Sequence, residues 1–140
     1  MNVAGQPTRT LWIAPDGRGV EIIDQTRLPE AFVVVRLDTL DAMAHAIRSM
    51  QLRGAPLIGV AGAYGIALAM HADPSDAALD AAATTLLATR PTAVNLRWAL
   101  DRMVALLRPL APAERVEAAY QAAAQMADDD VAACAAMAAH

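Results

Sequence analysis

The chain has 140 residues, which is room for one domain with its own hydrophobic core. Hydrophobic residues make up 56% of it, but many are alanine and few are aromatic, a composition that favours packed helices over a β-sandwich. The formal net charge of −4 argues against a nucleic-acid-binding surface, which would be basic. Cys134 is the only cysteine, so no intrachain disulfide can form and a reducing cytoplasm is the expected setting.

The first part of the chain, residues 1–37, has the pattern of short β-strands. We predict about three antiparallel strands, over residues 10–14, 20–23 and 31–37. A cluster of turn-forming residues separates the first two, and a polar connection at 24–29 separates the second from the third. Such a small sheet needs another layer on which to pack.

From residue 38 onward the hydrophobic period becomes that of α-helices. We predict about five helices, over roughly residues 38–52, 53–70, 74–89, 91–109 and 113–139. Asp38 and Asp73 are the expected caps of the first and third helices, and Met50 is the last residue of the first helix's apolar stripe. The predicted fold class is therefore α+β, with residues 1–37 as a small sheet and residues 38–140 as a helical bundle in the same domain.

The second predicted helix is uncharged from Gly54 to Ala72 and apolar on every side, so we expect it to be buried. A membrane span is the weaker interpretation, because its proline, glycines and alanines make a poor insertion signal. Its glycines at 59, 62 and 65 predict close packing against a neighbouring helix.

This helix begins with a possible anion site. Pro56 fits a first helical turn, and Gly54 lets the backbone bend and admits a ligand close to the main chain. The N–H groups of the helix start, with the guanidinium of Arg53, would suit a phosphate. Arg90 has an equivalent place ahead of Pro91, so two helix starts could hold one anion. The alternative is that both arginines cap the carbonyls of the helices that precede them.

No other residues form a catalytic or metal-binding pattern. The aspartates at 128–130 point in different directions around a helix, and the spacing of Cys134 and His140 matches no zinc site. His45 is expected at the surface. We expect the side chains of Tyr64, Asn95 and Trp98 to serve packing.

The chain contains three ordered stretches: Asp-Gln-Thr-Arg-Leu-Pro at residues 24–29, Arg-Gly-Ala-Pro-Leu-Ile-Gly-Val at 53–60 with Ala-Tyr-Gly at 63–65, and Arg-Pro-Thr-Ala-Val-Asn-Leu at 90–96 with Trp-Ala at 98–99. Together they resemble the methylthioribose-1-phosphate isomerase family. The regulatory subunits of a translation-initiation guanine-nucleotide exchange factor and ribose-1,5-bisphosphate isomerase share parts of this pattern. The first and third stretches favour the methylthioribose enzyme.

The resemblance implies an aldose–ketose isomerisation of 5-methylthioribose 1-phosphate in methionine salvage, without a metal or organic cofactor. The family's substrate contacts map onto Arg53, Gly54, Ala55 and Arg90. Its catalytic cysteine and aspartate lie in a C-terminal α/β domain absent from these residues, and Cys134 lies outside the catalytic motif. The chain then corresponds to the N-terminal domain, has no catalytic residue of its own, binds a sugar phosphate and is inactive alone. The full-length enzyme would be a cytoplasmic homodimer without nucleic-acid or membrane partners.

Overall fold

The computed structural model describes residues 2–3, 6–7, 10–52 and 54–138, with side chains at 10–52, 54 and 56–130. The strands are β1 (Asn2–Val3), β2 (Gln6–Pro7), β3 (Leu11–Ile13), β4 (Val20–Ile23) and β5 (Val34–Leu37). The helices of this part of the chain are α1 (Leu40–Arg48), α2 (Ala55–Ala72), α3 (Asp76–Thr89), α4 (Val94–Leu107) and α5 (Pro112–Ala138). A small sheet followed by five helices confirms the predicted α+β fold.

The sheet is antiparallel, in the order β3-β4-β5, with Leu11 opposite Ile22 and Ile22 opposite Val35. The predicted third strand begins too early, because β5 starts at Val34, opposite the last residue of β4. The chain turns at Asp24, so the ladder ends there and residues 31–33 lie outside it. Strands β1 and β2 form a separate two-stranded ladder that was not predicted.

Helix α1 ends at Arg48, earlier than the apolar stripe predicts. Met50 has a φ of 66°, the left-handed conformation that commonly ends a helix and is usually left to glycine. Its side chain is therefore 46% exposed instead of continuing the stripe.

The predicted caps are each displaced to a neighbouring hydroxyl. Thr39 caps α1 and Ser75 caps α3, and the hydroxyl of each accepts a backbone N–H bond of 3.1 Å. Asp38 instead pairs with Arg36 at 2.7 Å, and Asp73 accepts from the backbone N–H of Ser75 at 3.1 Å. A hydroxyl one or two residues further along reaches the orphan N–H groups better in both places.

Helix α2 lies at the centre and packs against the other four helices. Its three glycines face these neighbours, as predicted. A Cβ added to Gly62 would lie 2.6 Å from a methyl carbon of Leu96, and one added to Gly65 would lie 2.9 Å from a methyl carbon of Leu86. The inner face of the sheet joins the same core through residues that include Val20. Among the described residues, no helix combines the length and hydropathy that crossing a membrane requires.

The guanidinium of Arg115 is buried between helix ends. It donates to the carbonyl oxygens of Leu107 and Arg108 at 2.9 Å and of Pro74 at 2.8 Å. It also pairs with Asp76 at 2.6 Å. A buried cation is tolerated because its donors are matched in this way. Arg115 therefore fastens the start of α5 to the end of α4 and to the turn before α3.

The carboxylate of Asp24 is also buried, at 4% exposure, just after β4. It accepts from the backbone N–H of Thr26 at 2.9 Å, from the Thr26 hydroxyl, and from the side-chain amide of Gln51 at 3.0 Å. These bonds, that of the Thr26 hydroxyl foremost, outweigh burial and hold the pKa of Asp24 below its ordinary value of 3.8.

We expect Arg115→Met to lower the free energy of unfolding by about 3 kcal/mol, because it leaves one buried and two partly buried carbonyl oxygens without their donor. Urea unfolding at neutral pH measures the change. Arg108→Met is the control, since Arg108 makes an exposed ion pair with Asp80 and its loss should be hard to measure. Equal effects of the two substitutions would contradict the role of Arg115.

We expect Asp24→Asn to reduce the acid sensitivity of the fold. The pKa of Asp24 is lower in the folded than in the unfolded chain, so its stabilisation is present above about pH 4 and is lost as pH falls through the folded-state pKa. The wild type should therefore lose more unfolding free energy than the variant between about pH 5 and pH 2. Both proteins keep Asp16, whose pKa Arg36 lowers to about 2, so the comparison isolates Asp24. Parallel pH curves would contradict the prediction.

Candidate anion-binding site

Helices α2 and α4 begin without a capping side chain. Gly54 is the N-cap of α2 and Ala93 that of α4, and neither helix has an acidic residue in its first turn. By contrast, α1 and α3 each have a capping hydroxyl and an aspartate in the first turn, Thr39 with Asp41 and Ser75 with Asp76. The partial positive charge of a helix start is thus balanced by side chains in α1 and α3 but not in α2 and α4.

These two helix starts lie side by side. A Cβ added to Gly59 would lie 3.0 Å from the carbonyl oxygen of Asn95 and 3.6 Å from the Cβ of Ala99. Gly59 is in the second turn of α2 and Asn95 in the first turn of α4, so the absence of a side chain at 59 allows this approach. The first turn of α4 therefore packs against the second turn of α2, and each of these helices begins with N–H groups of the kind that bind anions.

Gly54 has the special backbone geometry that the sequence predicts. Its φ is 104°, a conformation that side chains other than hydrogen rarely permit, and it is exposed ahead of Pro56 in the first turn of α2. Of the other two residues in this predicted site, Arg53 lies outside the described residues, and Ala55 is described only as the backbone of the first helical residue. Their role in binding an anion stays a prediction.

Arg90 is half-buried at the corner between α3 and α4. Its backbone N–H closes α3 by donating to Leu87, and its guanidinium donates to the carbonyl oxygen of Ile47 at 3.3 Å. Ile47 belongs to the last turn of α1, so Arg90 caps a different helix from the one that precedes it in the chain. A guanidinium carries five N–H donors, so Arg90 can keep this bond and also donate to a bound anion. Arg90 is thus held beside the turn that leads to Gly54.

A groove of about 320 Å³ adjoins the helix starts. It is lined by Pro56, Gly59 and Val60 from α2, by Asn95, Trp98, Ala99 and Arg102 from α4, and by Met126, Asp129 and Asp130 from α5. We expected Asn95 and Trp98 to serve packing, but both are exposed and line this groove. Trp98 is 57% exposed, and the guanidinium of Arg102 lies 5.2 Å from the centre of its ring.

The spacing of three polar or aromatic residues in the sequence could have predicted this wall of the groove. Asn95, Trp98 and Arg102 recur three and four residues apart, which places them along one side of α4, while Leu96 and Leu100 face the core. Tyr64, by contrast, is 4% exposed, and its predicted packing role is confirmed.

The remaining candidate residues do not assemble into a site. His45 is exposed, as predicted, and Asp129 accepts from the side-chain amide of Gln125 at 2.9 Å. The side chains of Cys134 and His140 lie outside the described part. Within that part, no three or more His, Cys, Asp or Glu side chains group so that they could hold a metal ion.

Comparison with known proteins identifies relatives along the whole chain. The model of the initiation factor 2 subunit family (IF-2B) matches residues 51–140. A methylthioribose-1-phosphate isomerase of Rhodospirillum rubrum is 58% identical over 132 residues, which are 94% of this chain and 34% of that protein. Other curated proteins of that name extend over the full 140 residues, and this chain spans 38–39% of their length.

Solved structures of two differently named proteins share the fold. The delta subunit of translation initiation factor eIF-2B from A. fulgidus has a TM-score of 0.80 and 36% sequence identity over 89% of this chain and 38% of its own. The 5-methylthioribose 1-phosphate isomerase of Pyrococcus horikoshii OT3 has a TM-score of 0.78 and 36% identity over 88% of this chain and 36% of its own.

Proposed function

This chain belongs to the initiation factor 2 subunit family, and we propose that it is the N-terminal domain of a methylthioribose-1-phosphate isomerase. The full enzyme would convert 5-methylthioribose 1-phosphate into the corresponding ribulose phosphate in methionine salvage. The relatives named for that activity, which are 51–58% identical to this chain, support the choice of substrate. Residues 1–140 would supply part of the sugar-phosphate site.

The observation that carries the proposal is the pair of adjacent, uncapped helix starts. A phosphate carries up to two negative charges and accepts several hydrogen bonds, so it would neutralise the positive ends of α2 and α4 at once. The backbone at Gly54 is open to a ligand, and Arg90 is held next to the same turn by its bond to Ile47. Arg53 would add a second guanidinium from the chain segment before α2. This arrangement binds and orients an anion.

Isomerisation also needs groups that move a proton between adjacent sugar carbons. The helix starts themselves offer Gly54, Pro56 and Asn95, with Arg90 nearby, and none of these is an efficient acid or base near neutral pH. The carboxylates of Asp129 and Asp130, which line the adjoining groove, come from α5. By resemblance, a cysteine and an aspartate of a C-terminal domain would do this chemistry. We therefore propose that residues 1–140 hold the substrate while a further domain transforms it.

A second candidate is a non-catalytic interaction domain of the exchange-factor type. The exposed hydrophobic residues of α4 favour it, since Val94 is 79% exposed, Trp98 57% and Leu106 43%. The similarity to the eIF-2B delta subunit fits the same interpretation. In that case Arg53 and Arg90 would only stabilise the fold. A sugar phosphate would bind weakly, and its affinity would not depend on these two arginines.

We expect the 140-residue chain to bind methylthioribose 1-phosphate, and Arg53→Ala and Arg90→Ala each to weaken binding about tenfold to a hundredfold. A lost charge-assisted hydrogen bond to phosphate is worth roughly 1.5–3 kcal/mol. Titration calorimetry at fixed ionic strength measures the affinity. Arg108→Ala is the control, because it removes the same charge at the far end of α4, where Arg108 pairs with Asp80. Weak binding that is equal in all four proteins would favour the interaction domain.

We also expect the 140-residue chain alone to show no isomerase turnover, because the acid, base and thiol are proposed to lie elsewhere. Adding the C-terminal part of a close relative as a second polypeptide should restore turnover, monitored by conversion of aldose to ketose. The matched control adds the same polypeptide to the Arg53→Ala chain, which should stay nearly inactive. Robust turnover by the chain alone would contradict this division of roles.

A further inference from the structure

The Asp-Gln-Thr-Arg-Leu-Pro stretch at residues 24–29 has no part in the site described so far. Nothing in it belongs to α2 or α4, yet its first residue places a carboxylate in the protein interior. Burying a charged group is costly unless it is hydrogen-bonded, and Thr26 alone already gives Asp24 two donors. The third donor, the side-chain amide of Gln51, comes from 27 residues away and therefore joins two distant loops.

Gln51 is fixed to this stretch twice. Its side-chain amide donates to the second oxygen of Asp24 at 3.0 Å, and its backbone carbonyl accepts from the N–H of Gln25 at 3.0 Å. The first bond fixes the side chain of Gln51 and the second fixes its main chain. Together they set both the position and the orientation of this residue. A carboxylate only accepts hydrogen bonds, which also determines that the amide nitrogen of Gln51 faces Asp24.

The turn that contains Gln51 leads directly to the proposed anion site. Leu52 is fully buried, and its N–H donates to the carbonyl oxygen of Ala46 at 3.3 Å. Two residues further on, Gly54 is the N-cap of α2. Just before the turn, in the last turn of α1, Ile47 accepts the bond from Arg90. The path from α1 to α2 is thus fastened to the sheet at Gln51 and to the start of α4 at Ile47.

We infer that Asp24 and Gln51 are positioning residues for sugar-phosphate binding, which fix the turn so that the backbone at Gly54, ahead of the first turn of α2, faces the same anion as the start of α4. This inference rests on the proposed function. Neither residue needs to touch the ligand. The Asp24–Gln51 bond acts on the placement of the backbone at Gly54, and a displacement of that backbone would separate the two sets of N–H groups that share the anion.

The pair can be broken and repaired without changing its size. Gln51→Glu sets a second carboxylate against Asp24, which replaces a hydrogen bond by repulsion between like charges. Adding Asp24→Asn restores the hydrogen bond in the opposite direction, because the asparagine NH₂ group then donates to the carboxylate of the new glutamate. The side-chain oxygen of the asparagine still accepts from Thr26. We expect Gln51→Glu to weaken binding of methylthioribose 1-phosphate about tenfold and the double variant to recover affinity to within about twofold of the wild type.

Hydrogen exchange reports the position of the turn independently of any ligand. The backbone amides of residues 25 and 52, which donate to Gln51 and Ala46, should exchange about tenfold faster in Gln51→Glu and at the wild-type rate in the double variant. If Gln51→Glu does not fold, Gln51→Ala replaces it, because it removes the donor without adding a charge. For Gln51→Ala we expect about threefold faster exchange of the same amides and about threefold weaker binding.

Asp16→Asn is the matched control. Asp16 is also a carboxylate in a turn of the sheet region and accepts from the N–H groups of Arg18 and Gly19 at 3.0 and 3.3 Å, but its bonds stay within that region. Asp16→Asn should change neither the affinity nor the exchange at residues 25 and 52.

The outcomes separate the inference from the function on which it rests. If the wild type does not bind the sugar phosphate, the proposed function is overturned and the positioning role falls with it. If the wild type binds and Gln51→Glu binds equally well, the positioning role alone is overturned. Failure of Asp24→Asn to repair Gln51→Glu also overturns it, since the loss would then be unrelated to their bond.

Discussion

The structure depends on the burial of α2 on all sides. An apolar helix without a polar face cannot lie at a surface, so four helices and, through the common core, the sheet surround it. The approach is close because Gly59, Gly62 and Gly65 leave room where side chains would collide with neighbouring helices. Only the ends of such a central helix are open to solvent, and the proposed anion site lies at its start.

Closeness between α2 and α4 has a chemical consequence. A helix start carries unsatisfied N–H groups and a partial positive charge, and α2 and α4 have neither a capping side chain nor an acidic residue in the first turn, which favours an anion at their starts. Other helix starts in the described part are balanced by hydroxyls or acidic residues. Gly59 therefore allows the close packing of α2 on α4, and the same contact with Asn95 brings the start of α4 close to α2 at the proposed site.

The same scaffold occurs in proteins named for different functions. The eIF-2B delta subunit of A. fulgidus and the isomerase of Pyrococcus horikoshii OT3 resemble this chain equally in sequence and almost equally in shape. Because one fold can carry several functions, the decision between a sugar-phosphate site and a protein-interaction surface rests on individual residues. Those are the arginines and glycine at the helix starts on one side, and the exposed Val94, Trp98 and Leu106 of α4 on the other.

The amino-acid sequence by itself determined the order and type of the elements from residue 10 onward. Hydrophobic periods of two and of 3.6 residues locate the three-stranded sheet and the five helices, and Pro56 with Gly54 marks the start of α2. Element ends were less predictable, because they depend on single residues such as Met50, Thr39 and Ser75 whose local geometry periodicity does not encode.

Only the tertiary structure decided which distant residues meet. It brought Asp24 to Gln51 and Arg90 to Ile47, and it turned Trp98 outward into a groove. Such contacts join residues 27 and 43 positions apart in the chain, so no local pattern specifies them. The sequence could thus indicate two helix starts suited to an anion, while the packing of α2 against α4 decided that they lie side by side.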